Sequence, residues 1–218
     1  FNNVGFAYHL WYLPALLFVL VLVSLAWRRG LMKPLFFLCP ILLLAGIAMG
    51  KYAAVVFQRF ISLEFSRNAY FLGLPFFCAG FYMAENLEKI RAGLKKRRLL
   101  PLSLLFGLLS IGEHLLLEYL GLNMEGDMYL STAPAAVCLF LYFCCFDEGS
   151  PWLSAIGRDC ATGIYLIHAA ILDILYTLLS RTTLITVYSK ISPLLVFLVS
   201  LLLVSLWNAF VKRRRVLS

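Results

Sequence analysis

The sequence predicts an all-α fold, a polytopic bundle of about seven transmembrane helices forming a single domain over residues 1–218. Three observations carry that expectation. Of the 218 residues, 62% are hydrophobic and only 14% are charged, and the mean hydropathy is +0.89. Seven apolar runs fill nearly the whole length, and a helix needs roughly 20 such residues to cross a hydrocarbon core about 30 Å thick. Only short polar stretches separate the runs, so no soluble catalytic or nucleotide-binding domain of useful size fits. Any function must lie between the helices or in the loops.

The runs are taken in chain order. Leu10 to Trp27 is entered past His9 and ends at the basic turn Arg28 to Lys33. Pro34 to Gly50 follows, with proline tolerated in the first turn of a helix. A longer polar segment, Lys51 to Ala69, leads to Tyr70 to Glu85. The strongly basic loop Asn86 to Arg98 precedes Leu99 to Leu120, and the acidic turn Gly121 to Asp127 precedes Met128 to Phe146. Asp147 to Cys160 is expected as a connection, followed by Ala161 to Ser180, the connection Arg181 to Lys190, Ile191 to Val211 and a basic tail.

The formal charge of +8 would suggest nucleic acid in a soluble protein. Beside membrane helices it is better explained by retention of basic loops on the cytoplasmic side and by anionic headgroups, so no nucleic-acid partner is expected. Alternate connections lie on opposite sides of the membrane. One set holds fourteen of the basic residues, the other five (Lys51, Arg59, Arg67, Arg181 and Lys190). This asymmetry predicts Phe1 outside and Ser218 in the cytoplasm. The six cysteines, Cys39, Cys78, Cys138, Cys144, Cys145 and Cys160, include no Cys-x-x-Cys pair and sit mostly in apolar runs. They read as small core residues, not as a disulfide framework or a metal site. No signal peptide is visible, and the start at Phe1 reads as a fragment.

An ionisable group inside a membrane helix costs about 2.5–3.5 kcal/mol on insertion scales, so each one needs a partner or a wet cavity. His9, Arg67, Asn68, Glu113, Asp127 and Tyr129 all fall by topology in the outer half, with Trp11 and Tyr12 beside His9. His114 and Glu118 flank Glu113 on the same helix. A carboxylate, an imidazole and a guanidinium opening outward suit a polar acceptor such as a sugar hydroxyl or an amino acid. The same groups suit a structural ion-pair cluster that ties loops together. In the sixth run Tyr165 and His168 stand one turn apart and can share a face. His168 is either a helix-to-helix hydrogen bonder or a proton acceptor reached from the cytoplasm.

The loop residues Arg91, Lys95, Lys96, Arg97 and Arg98, with Lys89, are able to hold the phosphates of a nucleotide donor such as coenzyme A, or to act only as a topology anchor. No Gly-rich phosphate loop, Gly-x-Ser-x-Gly elbow or His-Glu-x-x-His motif occurs, so ATPase, classical hydrolase and metalloprotease readings lose their support.

Several stretches taken together resemble the acyltransferase 3 family of integral membrane proteins. They are Tyr8-His9-Leu10-Trp11-Tyr12-Leu13-Pro14-Ala15, then Arg67-Asn68-Ala69-Tyr70-Phe71 with Pro75-Phe76-Phe77 and Gly80. Glu113, fifteen residues before Met128-Tyr129-Leu130, and Gly163-Ile164-Tyr165-Leu166-Ile167-His168 complete the series. The Arg-Asn form and Asp127-Met128-Tyr129 look most like the membrane portion of the vancomycin-resistance membrane serine racemases.

The resemblance implies transfer of an acyl group from cytoplasmic acyl-CoA, as substrate and not as bound cofactor, to a hydroxyl of an envelope carbohydrate. For the racemase-type portion it implies a binding or transport module supplying a small amino acid such as serine. It also implies a unit of about ten helices, of which this chain would supply the last seven. The first helix of that unit would carry an arginine and, eleven residues later, the histidine regarded as the base, so the polypeptide alone is expected to be inactive. On this reading Glu113, His9 and His168 are the catalytic candidates. Trp11, Tyr12, Arg67, Asn68, Asp127, Tyr129 and Tyr165 shape the acceptor site, and Arg91 with Lys95, Lys96, Arg97 and Arg98 faces the donor.

Overall fold

The computed structural model describes residues 11–126, 128–146 and 151–217, which form helices and connecting turns with no strand among them. The chain divides near residue 149 into two compact units. His9 and Asp127 lie outside the described residues.

In the first unit, α1 (Tyr12–Arg28) and α2 (Met32–Met49) are joined by a tight turn in which Gly30 takes φ +68°, a left-handed conformation that glycine adopts without a Cβ penalty. Val19, Val23 and Ala26 of α1 pack with Leu35 and Cys39 of α2 and with Leu74 and Cys78 of α5 (Leu74–Glu85). The Trp27 and Phe81 rings meet edge to face at 5.3 Å, as do Phe36 and Tyr82 at 5.4 Å, which places the inward faces of these three helices in register. Large apolar side chains such as Leu17, Phe37 and Leu108 remain exposed, the surface expected of helices whose solvent is lipid.

The entry to α5 is irregular. After the short helices α3 (Ala53–Phe57) and α4 (Leu63–Ser66), Ala69–Gly73 forms a π-helical turn. Asn68 starts it. Its Oδ1 accepts from the amides of Tyr70 at 2.9 Å and Phe71 at 3.1 Å, and its Nδ2 donates to the Phe65 carbonyl at 2.9 Å, so one side chain satisfies groups on both sides of the break. Two glycines admit the wider turn. A Cβ on Gly46 would stand 2.6 Å from the Phe71 Cβ, and one on Gly73 would stand 3.2 Å from a Val19 methyl.

Beyond α5 the chain forms α6 (Leu87–Gly93) and α7 (Lys96–Tyr119), then returns through α8 (Thr132–Phe146). A polar seam joins α7 to α8. Ser103 donates to the Ala135 carbonyl at 2.9 Å, and Ser110 Oγ lies 2.9 Å from Ser131 Oγ. Such bonds hold membrane helices together where hydrophobic burial contributes little.

The second unit pairs α9 (Pro151–Leu179) with α10 (Ile185–Leu217). Gly163 lets them approach closely, since a Cβ there would fall 2.7 Å from a Val204 methyl. Asn208 Nδ2 donates to the Asp159 carbonyl at 2.8 Å and the Tyr188 hydroxyl to the Leu172 carbonyl at 3.1 Å.

Four helical stretches, Met32–Met49, Lys96–Tyr119, Ser154–Leu179 and Ile185–Arg213, are long and apolar enough to cross a membrane, and the shorter Tyr12–Arg28 and Thr132–Cys144 are also apolar. The architecture is a helical membrane bundle. Several element bounds differ from expectation: residues 87–93, expected as loop, form α6, residues 96–98 open α7, and α10 starts at Ile185 instead of Ile191. Residues 151–160, expected as a connection, are the first turns of α9, because Pro151 suits a helix start and no second proline interrupts the run. The expected tail is helical to Leu217, so α10 spans 33 residues, about 50 Å at 1.5 Å per residue and longer than the hydrocarbon core. Residues 128–131, expected as the start of α8, stay outside the helix, where a carboxylate of α7 takes the Leu130 and Ser131 amides and Thr132 Oγ1 takes the Tyr129 amide.

Candidate functional site

At the end of the first unit opposite the basic turns, three segments converge: the α2–α3 turn, the last turns of α7, and the 121–131 connection. Glu113 organises them. Its Oε2 accepts the Leu130 amide at 2.8 Å, its Oε1 accepts the Ser131 amide at 3.1 Å, and the Tyr52 hydroxyl donates to Oε2 as well. Half-buried in an apolar helix, the carboxylate thus has three donors from two loops, the satisfaction that such a depth demands. Tyr52 feels the converse. Burial, and then the Glu113 carboxylate, push its phenol up to about 12, so it stays protonated and donating.

Around this clamp runs a polar relay. The Tyr129 hydroxyl lies 2.8 Å from His114 Nδ1 and donates to Asn123 Oδ1 at 3.4 Å. Asn123 Oδ1 also accepts from Lys51 Nζ at 3.2 Å, while Asn123 Nδ2 donates to Glu118 at 2.7 Å. Lys51 Nζ sits 5.2 Å from the centre of the Tyr129 ring, within cation–π range. Asn123 Nδ2 also stands 3.5 Å from His114 Nδ1. The loop closes on bare backbone, because a Cβ on Gly126 would stand 2.6 Å from the Lys51 nitrogen.

Trp11, Tyr12, Val19, Phe76, Phe77 and Met128, the residue before Tyr129, line a cavity of about 490 Å³, the size of a small-molecule site. A narrow cleft bordered by Gly50, Lys51, Ser66, Leu72 and Met128 connects α4 and the π-turn with the 128–131 segment. Arg67 is half-buried between them at the end of α4, and Asn68 is engaged in its own turn.

The remaining expected residues lie elsewhere. Arg91 pairs loosely with Glu88, at 4.0 Å, Lys96 Nζ stands 5.8 Å from the centre of the Tyr142 ring, and Lys95 to Arg98 are exposed. In the second unit Tyr165 and His168 share a face of α9, with ring centres 5.8 Å apart. His168 Nδ1 is 2.7 Å from the Tyr165 carbonyl. A carbonyl can only accept, so Nδ1 carries the proton. Lys51, Tyr52 and Asn123 were not anticipated. Lys51 and Tyr52 bond across 72 and 61 residues of sequence, and only the polar break after Gly50 hints at them.

Over 149 residues the chain is 27% identical to an amino-acid racemase of Enterococcus faecalis, a stretch that covers 62% of this chain but only 20% of that protein. No solved structure gives a significant match. The profile of the acyltransferase 3 family, described as an acyltransferase domain, matches residues 1–212, and with that span the chain belongs to this family.

Proposed function

We propose that the chain forms the acceptor-binding part of a membrane acyltransferase that moves an acyl group from acyl-CoA to a hydroxyl of an envelope carbohydrate or similar acceptor. The observation that carries this reading is the arrangement around Glu113, where the carboxylate fixes the loop whose Met128 lines an aromatic cavity, in a chain of this family. Trp11, Tyr12 and Met128 would stack on the acceptor, and Arg67, Asn68, Asp127 and Tyr129 would line its approach. The basic end, with Arg91 and Lys95 to Arg98, would face the cytoplasm and the donor phosphates.

In the transfer a base takes the acceptor hydroxyl proton, the oxygen bonds to the thioester carbonyl carbon, the carbon–sulfur bond breaks, and the proton passes to the departing thiolate. His9 is the candidate to orient the acceptor hydroxyl at the outer end and His168 the candidate proton carrier in α9. Glu113, with both oxygens committed to the loop, acts as a positioning residue. The test is acceptor modification by membranes holding the full-length protein and labelled acyl-CoA. His9→Ala should abolish acceptor modification at unchanged membrane abundance. Glu113→Gln should act mainly through weaker acceptor binding. Full activity in both variants would overturn the site.

A second reading, a binding or transport module for a small amino acid such as serine, is favoured by the similarity to the Enterococcus racemase and by the opposite charges of Lys51 and Glu118 on one asparagine. It predicts saturable serine binding that needs no acyl-CoA.

A further inference from the structure

A second cavity, of about 530 Å³, opens between α2 and α5 toward the basic end of the first unit. It exists because the facing residues are small or stiff. Cys39, Pro40, Pro75, Cys78 and Ala79 line it where larger side chains would close the gap. Phe36 and Tyr82, ring against ring at 5.4 Å, form part of its wall. The lining is almost wholly apolar, and Lys33 is the single charged residue in it.

Lys33 is exposed and has no ion-pair partner among the described residues. Arg28 and Arg29 stand on the same turn. Water has no polar partners to hold it in such a space, and a gap at a lipid-facing surface forfeits dispersion contacts that a hydrocarbon chain restores. A cation at the rim of an apolar slot matches one class of molecule that a bilayer supplies in quantity.

We propose that this cavity binds an anionic phospholipid of the surrounding bilayer, one acyl chain lying against Cys39, Pro40 and Ala79 and the phosphate resting on Lys33 beside Arg28 and Arg29. The site is separate from the acceptor pocket, and its chemistry is retention without reaction. It would make the packing of α2 on α5 depend on lipid composition.

The experiment uses the full-length protein in mild detergent, exchanged into nanodiscs of phosphatidylcholine with or without phosphatidylglycerol, with retained lipid read by native mass spectrometry. Wild type should retain one phosphatidylglycerol in preference to phosphatidylcholine. Lys33→Gln, a change at an exposed position, should weaken that preference roughly fivefold, the effect of removing one cation near an anionic surface. Ala79→Phe, which fills the slot, should abolish retention, and its folding is checked by its melting temperature in phosphatidylcholine alone. Equal retention of the two lipids, or a preference unchanged in Lys33→Gln, would overturn the proposal. So would retention of no lipid, as when another segment of the full-length chain plugs the slot. Displacement of the lipid by long-chain acyl-CoA would likewise overturn it and assign the slot to the donor.

Discussion

Gly126 and Lys51 meet backbone to backbone, with no room for a methyl group between the 121–131 connection and the α2–α3 turn. Gly126→Ala should therefore push the loop off the turn and lengthen the Lys51–Asn123 bond, at a cost of about 1–3 kcal/mol, the usual range for overpacking. Gly112→Ala inside α7, where nothing stands within 4 Å of the added carbon, should instead stabilise by about 0.4–1 kcal/mol. Melting temperatures of the two variants in one detergent check the contrast.

Glu113→Gln keeps the shape of the clamp but replaces one accepting oxygen by a donating amide, which then faces a backbone donor. The expected loss is about 1–3 kcal/mol, the penalty for a donor left unsatisfied. Hydrogen exchange gives the sharper signal, since the amides of Leu130 and Ser131 should lose protection while the helical amides of α8 beyond Ala135 should keep theirs.

Tyr52 sets an alkaline limit. Its phenol ionises near 10.0 when free and at about 12 in the fold, raised by burial and then by Glu113. The unfolded chain gives up this proton first, so the stability the phenol contributes is intact below pH 10 and is lost as pH rises toward 12. Tyrosinate absorbance in the near ultraviolet should show a late-titrating group in wild type that is missing from Tyr52→Phe. Loss of stability beginning well below pH 10, and absent from Tyr52→Phe, would contradict the assignment.

The α9–α10 contact allows a compensation test. Gly163→Ala places a carbon 2.7 Å from a Val204 methyl and should cost about 1–3 kcal/mol. Val204→Ala added to it should recover most of that loss. Additive effects in the double variant would mean that the two side chains do not meet.

Hydropathy made the spans legible, because lipid imposes a composition that survives any rearrangement of contacts. It also marked Glu113 as a group in need of partners. The identity of those partners was hidden. Lys51 and Tyr52 occupy a loop with no periodic pattern, and their bonds depend on how two distant turns meet. The π-turn at Ala69–Gly73 was equally hidden, since a π-turn and an α-turn of apolar residues have the same hydropathy; Asn68 before an apolar run was its one readable sign, as a cap. Residues 128–131 were read as helix because their composition permits it; in the fold Glu113 and Thr132 take the amides of Tyr129, Leu130 and Ser131 instead.

The partners of Glu113 also bear on how the chain is made. Tyr52 is synthesised before α7, and the Leu130 and Ser131 amides follow Glu113 by only 17 and 18 residues. The carboxylate can therefore leave the translocon already hydrogen-bonded, within a hairpin of α7 and α8 that inserts as a pair. Biogenesis of this charged span need not wait for the second unit, and a ribosome-bound chain ending shortly after α8 should already be integrated in the bilayer.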